Sequence, residues 1–159
     1  MTPLRGAIRA LALMALAAGI VAPVWAAPAN AAAGDQTSPA TPVTLQQMLA
    51  AAHAAVPSIT PAQAKEMMRQ GNNVIVLDVR ETQEVQQSGK VAGAVHVPRG
   101  MLEFFADKNL PKDKTLIVYC VSGARAALAG KTLKDMGYAR VYNLGGFKNW
   151  VSSGGAVEK

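Results

Sequence analysis

One cysteine closes a short apolar run, and the residues behind it are of types that hold negative charge. The stretch is Thr115-Leu-Ile-Val-Tyr-Cys120-Val-Ser-Gly-Ala-Arg125. Leu116 to Tyr119 reads as a buried strand, and an alanine-rich helical pattern starts directly after the loop. A thiol at the C-terminal tip of a strand, with a helix N-terminus behind it, sits where backbone N–H groups can converge on sulfur. The helix dipole favours negative charge at the same place. With the guanidinium of Arg125 nearby, these effects favour the thiolate, which is the nucleophilic form of cysteine. The competing reading is a small buried hydrophobe, which free cysteine often is. The strand–loop–helix context and the Ser122-Gly123 pair weigh against it. An ionised thiolate needs no general base, and no histidine lies in or beside the loop.

The elements that must position this loop are legible as a repeating pattern. Thr44 with Gln47, and Thr60 with Gln63, are two capping boxes that predict helix starts. Leu45, Met48, Leu49, Ala52 and Val56 follow the first at helical spacing, and Pro57 ends it. Pro61 occupies the favoured first position of the second, whose apolar face is Ala64, Met67 and Met68. Val74 to Val79 is a continuous apolar run with Asp78 inside it, the pattern of a parallel strand buried on both faces. Glu81 to Ser88 predicts a short polar helix, Ala94 to Val97 a short strand, and Met101 to Ala106 another helix. Ala126, Ala129, Leu133 and Met136 line the helix behind Cys120. Val141 to Leu144 is a last strand, followed by Gly145-Gly146 and a helical turn around Trp150. Strands alternating with helices predict an α/β domain with a mostly parallel sheet. Ligand crevices in such sheets lie at the C-terminal strand ends, where Asp78, His96 and Cys120 fall. His53 reads as an exposed helix residue and His96 as a hydrogen-bonded structural one. Trp150 and Phe147 read as core, and Lys131 and Lys134 as a solvated helix face.

The chain has 159 residues. Arg5 and Arg9, the apolar run Ala10 to Val21 and the small residues around Ala26 form a three-part secretory signal, assigned to residues 1–26. The apolar run is short for a membrane span, with an uncleaved anchor as the alternative. Residues 27–43, rich in Ala, Pro, Thr and Ser, predict a flexible linker. Residues 44–57 form an N-terminal helix, and residues 58–159 one domain with one core. The expected location is the periplasm or the exterior, with no stable membrane insertion after processing. The formal charge of +6 includes Arg5 and Arg9 and falls to +4 without them. Scattered lysines without interleaved aromatics argue against nucleic-acid binding. A lone cysteine forms no internal disulfide and is a hazard in an exported protein unless it is used. No Cys/His cluster has zinc spacing, and nothing calls for a metal or organic cofactor.

Four segments, in this order and at this spacing, carry a resemblance. They are Asp78-Val79-Arg80-Glu81, Gly93-Ala94 through Pro98, Tyr119-Cys120-Val-Ser-Gly-Ala-Arg125, and Gly145-Gly146-Phe147-Lys-Asn-Trp150. From Ser58 onward the chain resembles a single-domain rhodanese, the rhodanese-like sulfurtransferase family. The resemblance implies a five-stranded, mostly parallel sheet flanked by helices. It implies that Cys120 is the nucleophile and carries sulfane sulfur as a persulfide, cradled by the backbone N–H groups of Val121, Ser122, Gly123, Ala124 and Arg125. Asp78 and Arg80 are then largely scaffold. Sulfur would pass from a small anionic donor, thiosulfate or a persulfide, to a thiol or cyanide-like acceptor, with a redox or sulfur-carrier protein as a further partner. Such transfer is covalent catalysis in two half-reactions.

Dual-specificity phosphatases resembling this fold have Cys-x5-Arg, a wider ring suited to phosphate or arsenate, so a Cys-dependent phosphatase or arsenate reductase ranks behind sulfur chemistry. The Cys-x4-Arg spacing here suits a single sulfur atom. Two departures from the family stand out. Lys90 and Ala92 replace a common histidine and proline. Val121 follows the cysteine where thiosulfate-using members often carry a basic residue, leaving Arg125 as the cation of the loop and Arg99 as a candidate second one. The other readings are an exported persulfide carrier or sulfur-binding partner with little turnover, and a non-catalytic module, against which the intact Cys120 argues.

Overall fold

In the computed structural model, residues 41–71 and 73–159 are described. The predicted signal segment and most of the linker lie outside them. Both capping boxes form. Thr44 Oγ1 accepts from the N–H of Gln47 at 3.3 Å while Gln47 Oε1 accepts from the N–H of Thr44 at 2.9 Å, opening α1 (Leu45–Ala55). Thr60 and Gln63 repeat the exchange at 3.2 and 2.8 Å, opening α2 (Pro61–Arg69). Each box satisfies backbone donors that a helix start leaves unpaired.

The chain then alternates. β1 (Val74–Asp78) leads into α3 (Thr82–Ser88), and β2 (Lys90–Val91) and β3 (Val95–His96) follow. A 3₁₀ turn at Arg99–Met101 runs into α4 (Leu102–Asn109). β4 (Thr115–Cys120), α5 (Ala124–Asp135), β5 (Val141–Gly146), α6 (Phe147–Ser152) and β6 (Val157–Glu158) complete it. The main sheet has the order β3-β1-β4-β5, with all neighbours parallel. β4 is central and every one of its residues is buried.

Side chains alternate across a strand, so β4 feeds two cores. Leu116, Val118 and Cys120 join Leu77, Val79, Ala126, Ala129 and Leu133 on the α5 side. Ile117 and Tyr119 join Ala64, Val76, Leu144, Phe147 and Trp150 on the other. Cys120 therefore ends the strand on the face that α5 covers.

Two features differ from expectation. The parallel sheet has four strands, not five. A fifth position beside β5 is reduced to one parallel bridge, Ser58 with Asn143, where the Ile59 N–H donates to Asn143 O and the Asn143 N–H to Pro57 O, each at 2.9 Å. Pro57 and Pro61 bracket that segment and lack the donors a longer ladder requires. The second feature is a small antiparallel sheet of β2 and β6, tied by a Lys90–Glu158 ion pair. The apolar stripe of α1 is covered only toward its C-terminal end. Ala52 and Val56 are buried, while Leu45 and Met48 are exposed. His53 is exposed, as its sequence position implies. Among the described residues, no helix is long and apolar enough to cross a membrane.

Candidate active site

Strand β4 delivers Cys120 to the C-terminal end of the sheet, and the loop that follows turns back over its sulfur. The turn needs Gly123, whose φ of +99° lies in the left-handed region. Gly123 precedes the first residue of α5, and its N–H donates to Cys120 Sγ at 3.1 Å. Val121 and Ser122 form the exposed tip, while Ala124 and Arg125 open α5 and are partly buried. Cys120 itself is 1% exposed, so the sulfur lies beneath the loop.

The glycine pair after β5 is the floor of this loop. A Cβ at Gly146 would stand 2.4 Å from the carbonyl oxygen of Val121, and one at Gly123 would stand 3.0 Å from Gly145 Cα. Only bare backbone permits that approach. Asn143 locks the two layers. Its Nδ2 donates to Gly123 O at 3.1 Å and its Oδ1 accepts from the Gly145 N–H at 2.8 Å. Sequence reasoning missed Asn143. The available signal was an amide inside the apolar run Val141 to Leu144, which must find partners once buried.

Arg125 does not point free into solvent. It forms a bidentate pair with Glu84 of α3, Nη1 to Oε2 at 2.7 Å and Nη2 to Oε1 at 2.8 Å, with Glu81 Oε1 at 3.6 Å. The hydrogen bonds from Arg125 pull the Glu84 carboxyl down to about 2. Those same bonds raise Arg125 further, against the opposing effect of its burial. The pair clamps α3 to the first turn of α5. Arg99 is not brought to the loop. It donates to Glu103 at 2.8 and 3.1 Å and to Thr132 Oγ1, in the second half of α5, at 3.0 Å.

Asp78 and Arg80 form the buried scaffold beneath the site. Arg80 Nε donates to Asp78 Oδ1 at 2.9 Å and Nη2 to Oδ2 at 2.5 Å, while Nη2 also reaches Gly89 O at 2.6 Å and Nη1 reaches Ser88 Oγ at 2.8 Å. Burial works against the Arg80 charge, but the bonds and field of Asp78 outweigh it and raise its pKa. Tyr119, the residue before the cysteine, donates to Asp78 Oδ2 at 2.6 Å and accepts from the Val91 N–H at 2.9 Å. Burial, then the Asp78 bond, push its phenol up, so it stays neutral. The Arg80 guanidinium also lies 4.1 Å from the Phe147 ring centre. His96 places Nε2 2.9 Å from Arg80 O, a structural contact.

A cleft of about 200 Å³ adjoins the loop, lined by Arg80, Glu84, Gln87, Ser88, Val121, Phe147 and Lys148. Among the described residues, no group of three or more His, Cys, Asp or Glu could hold a metal ion. What the arrangement offers is one thiol under a backbone donor, with an adjoining cleft.

This fold and loop define a family. The chain belongs to the rhodanese-like domain family, whose model matches residues 60–153. A sulfurtransferase of Allochromatium vinosum is 35% identical over 83 residues, which cover 52% of this chain and 76% of that protein. The chain spans about half, 51%, of the candidate sulfur carrier protein YrkF of Bacillus subtilis, at 31% identity. Among solved structures, the polysulfide-sulfur transferase homodimer of Wolinella succinogenes superposes with a TM-score of 0.62 at 32% identity, over 71% of this chain and 85% of that one. A Rhodopseudomonas palustris protein of unknown function, described as a possible tyrosine phosphatase, gives 0.65 at 35% identity, over 74% and 99%.

Proposed function

We propose that this protein is a sulfurtransferase that carries sulfane sulfur on Cys120. The observation that supports this best is the Gly123 N–H donating to Cys120 Sγ at 3.1 Å from the turn that caps α5. A persulfide formed there is anionic near neutral pH, and a fixed backbone donor stabilises it as an oxyanion hole stabilises oxygen. Relatives named for sulfur transfer and sulfur carriage support the same reading. The reaction runs in two halves. Cys120 takes sulfur from a donor, the first product leaves, and an acceptor then removes the sulfur.

A phosphatase reading is less well supported. Phosphate recognition relies on a guanidinium free to form two parallel bonds, and both outer nitrogens of Arg125 are committed to Glu84. The loop also has four residues between Cys120 and Arg125, the smaller spacing. The exported location proposed from the N-terminal pattern accompanies this reading, and N-terminal sequencing of protein from its host tests it. A mature start between Ala27 and about Gly34 is expected.

Two-substrate kinetics test the activity. A ping-pong mechanism predicts parallel double-reciprocal lines when donor and cyanide are varied together. Intersecting lines would replace the two half-reactions with a ternary complex, and no turnover beyond one equivalent of sulfur would replace the enzyme with a stoichiometric carrier.

A further inference from the structure

Charge around the cleft that adjoins the Cys120 loop is balanced in a way that bears on which donors the site accepts. This inference rests on the sulfurtransferase reading above. Arg125 is held by Glu84 through two bonds, and Glu81 stands 3.6 Å from the same guanidinium. Exposed Lys148 lines the cleft. Arg80 also lines it, but Asp78 takes its charge at 2.5 Å. Lys148 against Glu84 on the cleft wall, and Arg125 against Glu81 beside them, leave this region without net charge. Phe147 and Val121 supply apolar wall.

A dianion entering a partly desolvated cleft needs uncompensated positive charge to offset its lost hydration. A donor with an organic body and at most one negative charge has no such need, and its apolar part gains from Phe147 and Val121. We propose that Glu84 determines specificity at this site: by occupying Arg125 it withdraws the guanidinium from incoming anions and biases Cys120 toward organic persulfides over thiosulfate.

The transfer step balances without a further reactant. The Cys120 thiolate attacks the outer sulfur of R–S–SH, the Sγ–S bond forms and the RS–S bond breaks. The electron pair leaves on RS⁻, and the proton stays on the transferred sulfur, giving Cys120–S–SH.

The variant Glu84→Gln tests this. A glutamine retains one oxygen for the Glu81 N–H, which Glu84 Oε2 now accepts at 2.8 Å, and loses the charge. kcat/KM is measured for thiosulfate and for cysteine persulfide, each with cyanide as acceptor, across ionic strength. Thiosulfate turnover is expected to rise about tenfold while cysteine persulfide changes less than about threefold, because the freed charge acts twice as strongly on a dianion. The thiosulfate gain should shrink with added salt. Lys148→Glu, at an exposed position, is expected to move the ratio of the two donors the opposite way. Equal factors for both donors in E84Q, or an unchanged ratio in K148E, would overturn the role of Glu84 while leaving sulfur transfer in place. A wild-type protein that takes no sulfur from either donor would overturn both.

Discussion

Replacing Gly146 by alanine should cost rate as well as stability, because the new methyl displaces the loop that covers Cys120. Gly146 has φ −98° and ψ 141°, extended backbone that alanine adopts without strain. The penalty is therefore purely one of space. The new Cβ would sit 2.4 Å from Val121 O, 3.2 Å from Val121 C and 3.5 Å from Ser122 Cα. Every one of these atoms is backbone, so no rotamer relieves the contact. Restoring ordinary contact requires the loop to retreat by about 1 Å, and overpacking on this scale costs about 1–3 kcal/mol. Val121 is covalently next to Cys120, and the retreat carries the Gly123 N–H away from a sulfur it now meets at 3.1 Å. Misplacement of a reacting group by that distance is worth about 10²-fold in rate. The assay is sulfur transfer to cyanide with a thermal melt on the same sample. Gly137→Ala is the control. Gly137 has φ +92° with nothing within 4 Å of its added Cβ, so it should lose about 1 kcal/mol of stability to backbone strain and keep its rate. A G146A protein with the wild-type rate, or equal rate losses in both variants, would refute the account of the loop floor.

Further outcomes follow from the same geometry. Asn143→Ala removes one of two bonds to Gly123 O, which keeps the Ala127 N–H at 2.8 Å, and takes the side-chain acceptor from the Gly145 N–H; it should lower unfolding stability in urea by about 1–3 kcal/mol. Asp78→Asn removes the charge facing a guanidinium that is 2% exposed, and chemical denaturation should register a loss of about 3–5 kcal/mol. The Glu84 carboxyl is held down to about 2 from an ordinary 4.5 by Arg125. A depressed carboxylate stabilises the fold fully above its unfolded value and loses that contribution as pH falls through its folded one. Wild-type protein should accordingly lose about 1 kcal/mol between roughly pH 4.5 and 2, screened because the pair is about one-third exposed. Stability–pH curves of wild type and E84Q should converge at the acid end. Parallel curves would remove the pair from the stability of the loop.

Much of this architecture was legible because local chemistry and tertiary structure agree. The Thr44/Gln47 and Thr60/Gln63 boxes, the apolar runs of β1 and β4, and the turn glycine at position 123 each act within a few residues. What escaped depends on distant partners. β2 and β6 are two-residue strands with no period to detect, and they pair across 68 positions at Lys90 and Glu158. Asn143 is defined by contacts to Gly123 and Gly145 that only the folded sheet creates. From the sequence Arg125 reads as an anion-binding group, with pairing to an acid such as Glu81 as the alternative, and Arg99, just after the Pro98 strand end, as a candidate second cation. A guanidinium, however, goes to the best-placed carboxylate. For Arg99 that is Glu103 one turn away, and for Arg125 it is Glu84 across the fold, with the motif residue Glu81 in second place at 3.6 Å. The five-stranded expectation gave way at Ser58, where flanking prolines reduce the last strand to a bridge.

The most direct test of Cys120 as sulfur carrier is the intact mass of the wild-type protein and of Cys120→Ser after brief exposure to polysulfide. The wild type should gain the mass of one sulfur atom, lose it when cyanide is added, and yield a Cys120-containing peptide that bears it. The serine variant should fold as the wild type does and gain nothing, because a hydroxyl is barely ionised and forms no persulfide. Stable sulfur on the serine variant, or a wild type that stays unmodified, would contradict the assignment.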